Sequence, residues 1–507
     1  MGGDGTAALF EAEPGAATRP LLETYRRREP EKTLLHRLVR EHLATFLAEL
    51  NEHGRGLPLH VERELRSYLS CGLLSEGFLR VCCPACGEEL LVAFSCKTRG
   101  FCPSCCARRM YETAAHLVDR VLPFVAWRQW VLSYPRWLRL LLARFPRAAR
   151  GSAAIFLSEV FGWQRRQARR LGLPGPKTGA VCFTQRFGSR LNLNLHHHAL
   201  APDGVFLAPE DGAVRFEKLA RPRCADLERI LARIVRRTLG LVERLGLREV
   251  EPADALSRLQ VESVQARFGF ALQKSQPKLS AFLEGFSLEA GRHLHAHDRQ
   301  GLEALCRYAL RPPLALSRLS EAADGRLVLR LRRPAHDGTV AIAFTPLELL
   351  RRLAALVPPP RAHLVRYFGV FAPGSKLRAR LVPRPPPRRG GCRAPFHDEE
   401  PLGLDPLSFA PASLELRPRR LDWARLLRRV WSVEVLRCPC GGRRKIAAVV
   451  SHPEVAAQVL EALGVHAEAP PLAKARAPPA QLGFEPPVDD PGIDPSWPDS
   501  FDSHPEY

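Results

Sequence analysis

The chain has 507 residues, with 75 Lys and Arg against 53 Asp and Glu, a formal net charge of +22. Its length allows roughly two to four domains, and no run of about 18 apolar residues is present, which argues against a membrane-spanning helix. The charge excess points to a polyanionic partner, nucleic acid first. A membrane surface is disfavoured, because no long basic amphipathic helix with an aromatic face is found.

Residues 1–31 read as a flexible leader. Its start is acidic and lacks the basic-then-apolar order of a signal peptide, so a cytoplasmic protein is expected. Residues 32–112 read as a helical and zinc-ribbon DNA-binding domain: Leu35, Leu38, Val39, Leu43, Phe46, Leu47 and Leu50 recur at helical spacing before a cysteine-rich stretch. Residues 113–382 read as the largest domain. A helix over about 107–121 crosses into it, followed by a strand at 127–132, helical patterning at 138–170 and strands at 179–187 and 192–200. The Asp203-Gly204 turn leads into a third strand, which makes the group hairpin-like and antiparallel. Helices are expected over 224–245, 298–311 and 346–356, with strands at 325–331 and 340–344. Residues 383–412 are a Pro/Arg-rich linker, 413–465 a small C-terminal module and 466–507 a tail expected to be disordered.

Eight of the 14 cysteines fall between Cys71 and Cys106. Such clustering in a cytosolic chain indicates metal rather than disulfides. Cys83-x2-Cys86 and Cys102-x2-Cys105 are separated by fifteen residues, the spacing of a structural Zn2+ ribbon in which two knuckles close a tetrahedron. Cys96 is the alternate ligand, Cys82 competes with Cys83, and Cys71 and Cys106 are extras. Four thiolates leave no open position, so the site is structural, and Lys97, Arg99, Arg108 and Arg109 beside it are available to phosphates. Cys438 and Cys440 form only a pair, a weak metal signal.

His196, His197 and His198 lie within an apolar strand candidate. Strand side chains alternate, so His196 and His198 share one face and can chelate one divalent ion. Tyr308 sits on an amphipathic helix with Arg311 one turn on. A phenol beside a guanidinium suits attack on a phosphodiester.

These segments together resemble the rolling-circle insertion-sequence transposases of the IS-ninety-one type, DNA-cutting enzymes of the HUH tyrosine class. The likeness runs from about 32 to 465. It is carried by FSCKTRGFCPSCCARRM, RQWVLSYP, GAVCFTQRFGSRLNLNLHHHALAPDGVF, LCRYALRPPLALSRL, TPLELLRRLAALVPPPRAHLVRYFGVFAP and VLRCPCGGRRKIAAVV. The resemblance implies an α+β fold, with an antiparallel sheet and packed helices behind the zinc module. It implies Mg2+ or Mn2+ on His196 and His198, nucleophilic Tyr308, and transesterification on single-stranded DNA through a 5′-phosphotyrosine. Gln185 is the first suggestion for a third ligand and Glu303 the second. The chain departs from its relatives at His197, where an aromatic or aliphatic residue is usual, and at Ala304, where many have a second tyrosine. Its Cys438-x-Cys440 turn is one residue shorter than the usual Cys-x2-Cys. Competing readings are a non-catalytic zinc-dependent DNA-binding protein, a metal-dependent hydrolase and an inactive transposase copy.

Overall fold

The computed structural model describes residues 25, 27–52, 56–209, 213–247, 254–265, 279–334, 338–381, 383, 423–431, 433–465 and 470–476. Most of the expected leader (1–24), linker (384–412) and tail (477–507) lies outside the described residues. Residues 470–476, within the tail read as disordered, hydrogen-bond to the first helix at Arg40 and Thr45.

That helix, α1 (Leu34–Glu52), forms because its apolar residues fall on one face, and the structure buries all seven residues of the sequence pattern. After α2 (Leu59–Leu69) comes a hairpin of β1 (Phe78–Cys82) and β2 (Glu89–Ala93), in register from Phe78↔Ala93 to Cys82↔Glu89. α3 (Pro103–Arg120) opens with Pro103, whose missing N–H costs nothing in a first turn.

β3 (Trp127–Ser133) leads into α4 (Arg136–Arg144) and α5 (Pro146–Arg170). The helical pattern over 138–170 is thus two helices, because Pro146 cannot continue one. β4 (Gly179–Phe187) and β5 (Leu193–Pro202) form the antiparallel pair read from the sequence. β6 (Gly204–Leu207) does not extend that pair; it forms a separate two-stranded sheet with β7 (Arg215–Lys218). Then follow α6 (Cys224–Arg244), α7 (Ala255–Gln265), β8 (Ser280–Leu283), β9 (Phe286–Glu289), β10 (His293–Leu294) and α8 (Arg299–Leu310). A three-stranded sheet of β11 (Leu319–Glu321), β12 (Leu327–Arg330) and β13 (Ala341–Phe344) precedes α9 (Pro346–Leu356). β14 (Val365–Gly369), α10 (Arg378–Leu381), α11 (Trp423–Trp431), β15 (Lys445–Val450) and α12 (Pro453–Ala462) complete the described chain.

The seven-stranded sheet runs β14-β4-β5-β3-β9-β8, with β10 also on β3, and all its pairings are antiparallel. Both faces are covered. Trp130, Leu132, Cys182 and Ala199 join the larger core with α1, α4, α5, α6, α7 and α9. Trp127, Val181, Phe183 and Leu200 join a second core with Leu117 and Val118 of α3 and Leu302 and Leu305 of α8. Every residue of β5 is buried as a result.

α8 is held at both ends. The Asp298 carboxylate accepts the Gly301 N–H at 2.7 Å, and Pro312 and Pro313 stop the helix. One buried charge on the sheet is paired with a carboxylate. Arg128 on β3 grips Asp203 through two bonds of 2.8 and 2.9 Å and donates to the Ala290 carbonyl at 2.9 Å. Removing one partner strands the other charge in the core. Asp203→Ala is expected to destabilise the fold by about 3–5 kcal/mol, read from urea unfolding midpoints. A loss under about 1 kcal/mol would show that this pair does not brace the sheet.

Candidate active site and cysteine clusters

β5 lies between β3 and β4, with Ser133↔His196↔Gln185 and Val131↔His198↔Phe183 in register. Alternation turns His196 and His198 toward α8 and His197 toward the larger core. The His196 and His198 rings have centroids 4.8 Å apart, and Tyr308 of α8 packs edge-on to His198 at 5.9 Å. Arg311 lies over the Tyr308 ring at 4.2 Å. Residues 110 positions apart in the sequence therefore meet in one buried place.

The surroundings orient the imidazoles. His196 Nδ1 lies 2.8 Å from the Asn194 carbonyl, which can only accept, so Nδ1 carries the proton and Nε2 presents its lone pair. Gln129 of β3 addresses His198 Nδ1 at 2.7 Å. Burial pushes the His198 ring well below the usual imidazole range, with His196 and then Arg311 adding to it. The ring is neutral at neutral pH, the form that ligates metals.

Gln185 ties sheet to helix. Its amide nitrogen donates to the carbonyls of Tyr308 (2.9 Å) and Ala309 (3.0 Å). Two carbonyl acceptors fix which end of the amide is nitrogen. Its Oε1 is buried with no hydrogen-bond partner among the described residues. A buried acceptor of this kind, opposite His196, suits a cation. Glu303 does not belong here: its carboxylate pairs with Arg429 of α11 at 2.6 Å.

His197 is satisfied where it points. Its Nδ1 lies 3.0 Å from Thr184 Oγ1 and its Nε2 3.4 Å from Ser152 Oγ, and its ring meets Tyr134 edge-on. It is a core residue and does not disturb the pair.

Beyond Gln185 and Arg311 opens a cavity of about 860 Å³ lined by Arg99, Arg109, Arg186, Arg311 and Arg378, with Glu112 as its one acid. Arg186 is buried and, among the described residues, bonded to the carbonyls of Leu356 and Ala143, and desolvation lowers it to about 10. A cation without a carboxylate partner favours a bound anion such as a phosphate. Arg99 and Arg109 thus face this cavity, whereas Lys97 and Arg108 line a second one, of about 1600 Å³.

The expectation that Cys83, Cys86, Cys102 and Cys105 close one tetrahedron does not hold. Cys102 and Cys105 meet Cys71 and Cys96, while Cys83 and Cys86 meet Cys438 and Cys440. The hairpin explains it. Cys71 and Cys96 flank the base of β1–β2, and Cys83 and Cys86 sit at its tip, one five-residue strand away, roughly 15 Å. In the first cluster Sγ atoms approach at 3.7 Å (Cys71–Cys105), 3.5 Å (Cys96–Cys105) and 3.6 Å (Cys102–Cys71). A tetrahedral zinc with bonds of about 2.3 Å sets sulfurs about 3.8 Å apart, so this cluster fits structural Zn2+. Cys71 was legible as a cysteine but not as a ligand, since only the hairpin brings it back to Cys102. Gln129 and Asn194, which orient the histidines, carried no sequence signal.

Residues 179–379 match a family model described as "Putative transposase", and residues 38–134 match one described as "Transposase zinc-binding domain". The first range spans β4 to α10 and holds the histidines and Tyr308; the second holds all of the first cysteine cluster. No curated protein and no solved structure matches the chain. Among the described residues, no helix is long and apolar enough to cross a membrane.

Burial, then His196, lowers His197 to about 3. The unfolded chain therefore binds a proton here that the folded chain refuses. Its share of stability is full above the ordinary imidazole value and is lost as pH falls from there to about 3. In metal-free protein, His197→Gln is expected to show a shallower fall of melting temperature between about pH 6.5 and 4 than wild type. Parallel curves would mean that His197 is not held neutral.

Proposed function

We propose that this chain, which belongs to the IS-ninety-one type of transposases, cuts and rejoins single-stranded DNA by tyrosine transesterification during rolling-circle transposition. The carrying observation is the convergence of His196, His198, Tyr308 and Arg311 beside an arginine-lined cavity. Membership makes DNA the partner and strand cleavage with transfer the reaction class. The site geometry supports the finer reading.

In this reading His196, His198 and the Gln185 amide oxygen hold Mg2+ or Mn2+. Two imidazole nitrogens and an amide oxygen suit such an ion, which supplies Lewis-acid polarisation of the scissile phosphate. Gln129 and the Asn194 carbonyl keep the rings in place. The Tyr308 oxygen attacks phosphorus and gives up its proton; the phosphorus–oxygen bond to the 3′ side breaks, and that oxygen leaves as a hydroxyl. Arg311, stacked on the ring, holds the phosphate in line. The bond energy stays in the 5′-phosphotyrosine, so a later 3′-hydroxyl rejoins strands without ATP. Ala304, one turn before Tyr308, makes this a single-tyrosine site. Cys71, Cys96, Cys102 and Cys105 hold zinc in a DNA-binding domain over 32–112, ahead of a catalytic domain over 113–382. The cytoplasm, at the nucleoid, is where such a protein meets DNA.

Single-stranded oligonucleotides carrying element ends, incubated with Mn2+ and run on denaturing gels, test this. Wild type is expected to form a covalent protein–DNA adduct. Tyr308→Phe, His196→Ala and His198→Ala should form none. Arg311→Ala should slow adduct formation by about 10²–10³-fold, the cost of one lost donor at a developing charge. An adduct with Tyr308→Phe would remove Tyr308 as nucleophile. Free ends without an adduct would favour a hydrolase, and intact DNA a binding protein.

A further inference from the structure

The second cysteine cluster lies outside both matched ranges in half its ligands: Cys438 and Cys440 follow the transposase range by more than fifty residues. Its geometry is that of the first. Cys83 Sγ lies 3.6 Å from Cys440 Sγ, and Cys86 Sγ lies 3.5 Å from Cys438 Sγ. All four sulfurs fall within 4.8 Å of one another. Disulfide sulfurs would be about 2.05 Å apart, and four around zinc about 3.8 Å.

The backbone is shaped for thiolates. The Cys83 N–H donates to the Glu88 carbonyl and the Gly87 N–H returns to the Cys83 carbonyl, at 2.9 and 2.8 Å. In the other turn the Cys438 N–H donates to the Gly442 carbonyl and the Gly441 N–H to the Cys438 carbonyl, at 2.8 and 2.9 Å. Gly87 and Gly441 both take left-handed backbone, with φ of 75° and 87°. The two turns are knuckles of one design, the second a residue shorter. Cys440 Sγ receives the Gly442 N–H at 3.4 Å, and nearby backbone N–H groups favour the thiolate elsewhere: those of Cys86 and Ala85 at Cys83, that of Glu88 at Cys86 and that of Cys440 at Cys438. Such bonds spread the charge of a four-thiolate site. Gly442 also leaves the room needed, since a Cβ there would stand 2.7 Å from Cys83 Sγ. Arg444, buried beneath, holds Glu88: it donates to the Glu88 carboxylate at 2.8 Å and to the carbonyls of Val435 and Arg437, and the same Glu88 oxygen accepts from Cys438 Sγ at 2.6 Å, so a metal here displaces that thiol proton.

We propose that Cys83, Cys86, Cys438 and Cys440 form a second structural zinc site, a clip that joins the N-terminal hairpin to the C-terminal unit. Its ligands are up to 357 residues apart. The clip continues directly into the sheet, because β15 pairs with β1 from Cys82↔Lys445 to Phe78↔Val450. The unit it fastens also carries α11, whose Arg429 pairs with Asp119 of α3 and Glu303 of α8, the helix of Tyr308. The short Cys438-x-Cys440 turn has therefore kept its thiols in reach of a metal.

The test is zinc content of the full-length protein after gel filtration, by mass spectrometry. Wild type is expected to hold two zinc ions per chain, and Cys438→Ser with Cys440→Ser one. A readout on wild type alone covers the case in which the variant misfolds. Thiol alkylation mapped by peptide mass should leave Cys86 and Cys440 protected in the zinc-loaded protein, and modify them together with Cys83 and Cys438 once a chelator is added. Exposed Cys224 is the reactive control. One zinc in wild type, two in the double variant, or Cys440 alkylated as fast as Cys224 in loaded protein would each overturn the clip.

Discussion

The candidate site depends on one geometric constraint: β5 is an interior strand covered on both faces. Three successive histidines are then divided by the pleat, two to one side and one to the other. On one side His196 and His198 meet Tyr308 and Gln185. On the other, His197 is absorbed by Thr184, Ser152 and Tyr134. A strand open on one face would leave one set of imidazoles in water, where neither position nor protonation state is enforced.

From that strand the helix of Tyr308 takes its place. Leu302, Leu305 and Cys306 bury α8 on the same face of the sheet as the histidine pair. Gln185 then bonds the Tyr308 and Ala309 carbonyls in the last turn of α8, where intrahelical donors run out. One side chain thereby positions Tyr308 and leaves an acceptor beside His196. The adjoining cavity is lined by five arginines against one acid, Glu112. They repel one another, and a polyphosphate backbone relieves that cost.

The cysteine clusters act at a larger scale. Cys71, Cys102 and Cys105 sit in the larger core, whereas the hairpin and the C-terminal unit beside it share only a small one, built on Leu74, Phe78 and Val450. Thiolate–metal bonds add folding energy that such a core lacks. The entropy of closing a loop rises only logarithmically with its length. A ligand pair from the far end of the chain is thus little harder to recruit than a nearer one, provided a strand such as β15 delivers it.

Much of this was legible before any coordinates. Periodicity marked α1, α6, α8 and α9, and the strands β4 and β5, because each element writes its own buried face into local spacing. Alternation alone separated His197 from its neighbours. The cysteines announced metal through their number, yet not which four share a site, since that depends on a hairpin whose short strands have no clear pattern. Gln129, Arg186 and the pairing of Cys83 with Cys440 have no local signature at all. The elements, their exposed and buried faces and the chemistry on offer follow from neighbours along the chain, and are written there. Which groups meet depends on strand order and register, which bring together residues that no spacing connects.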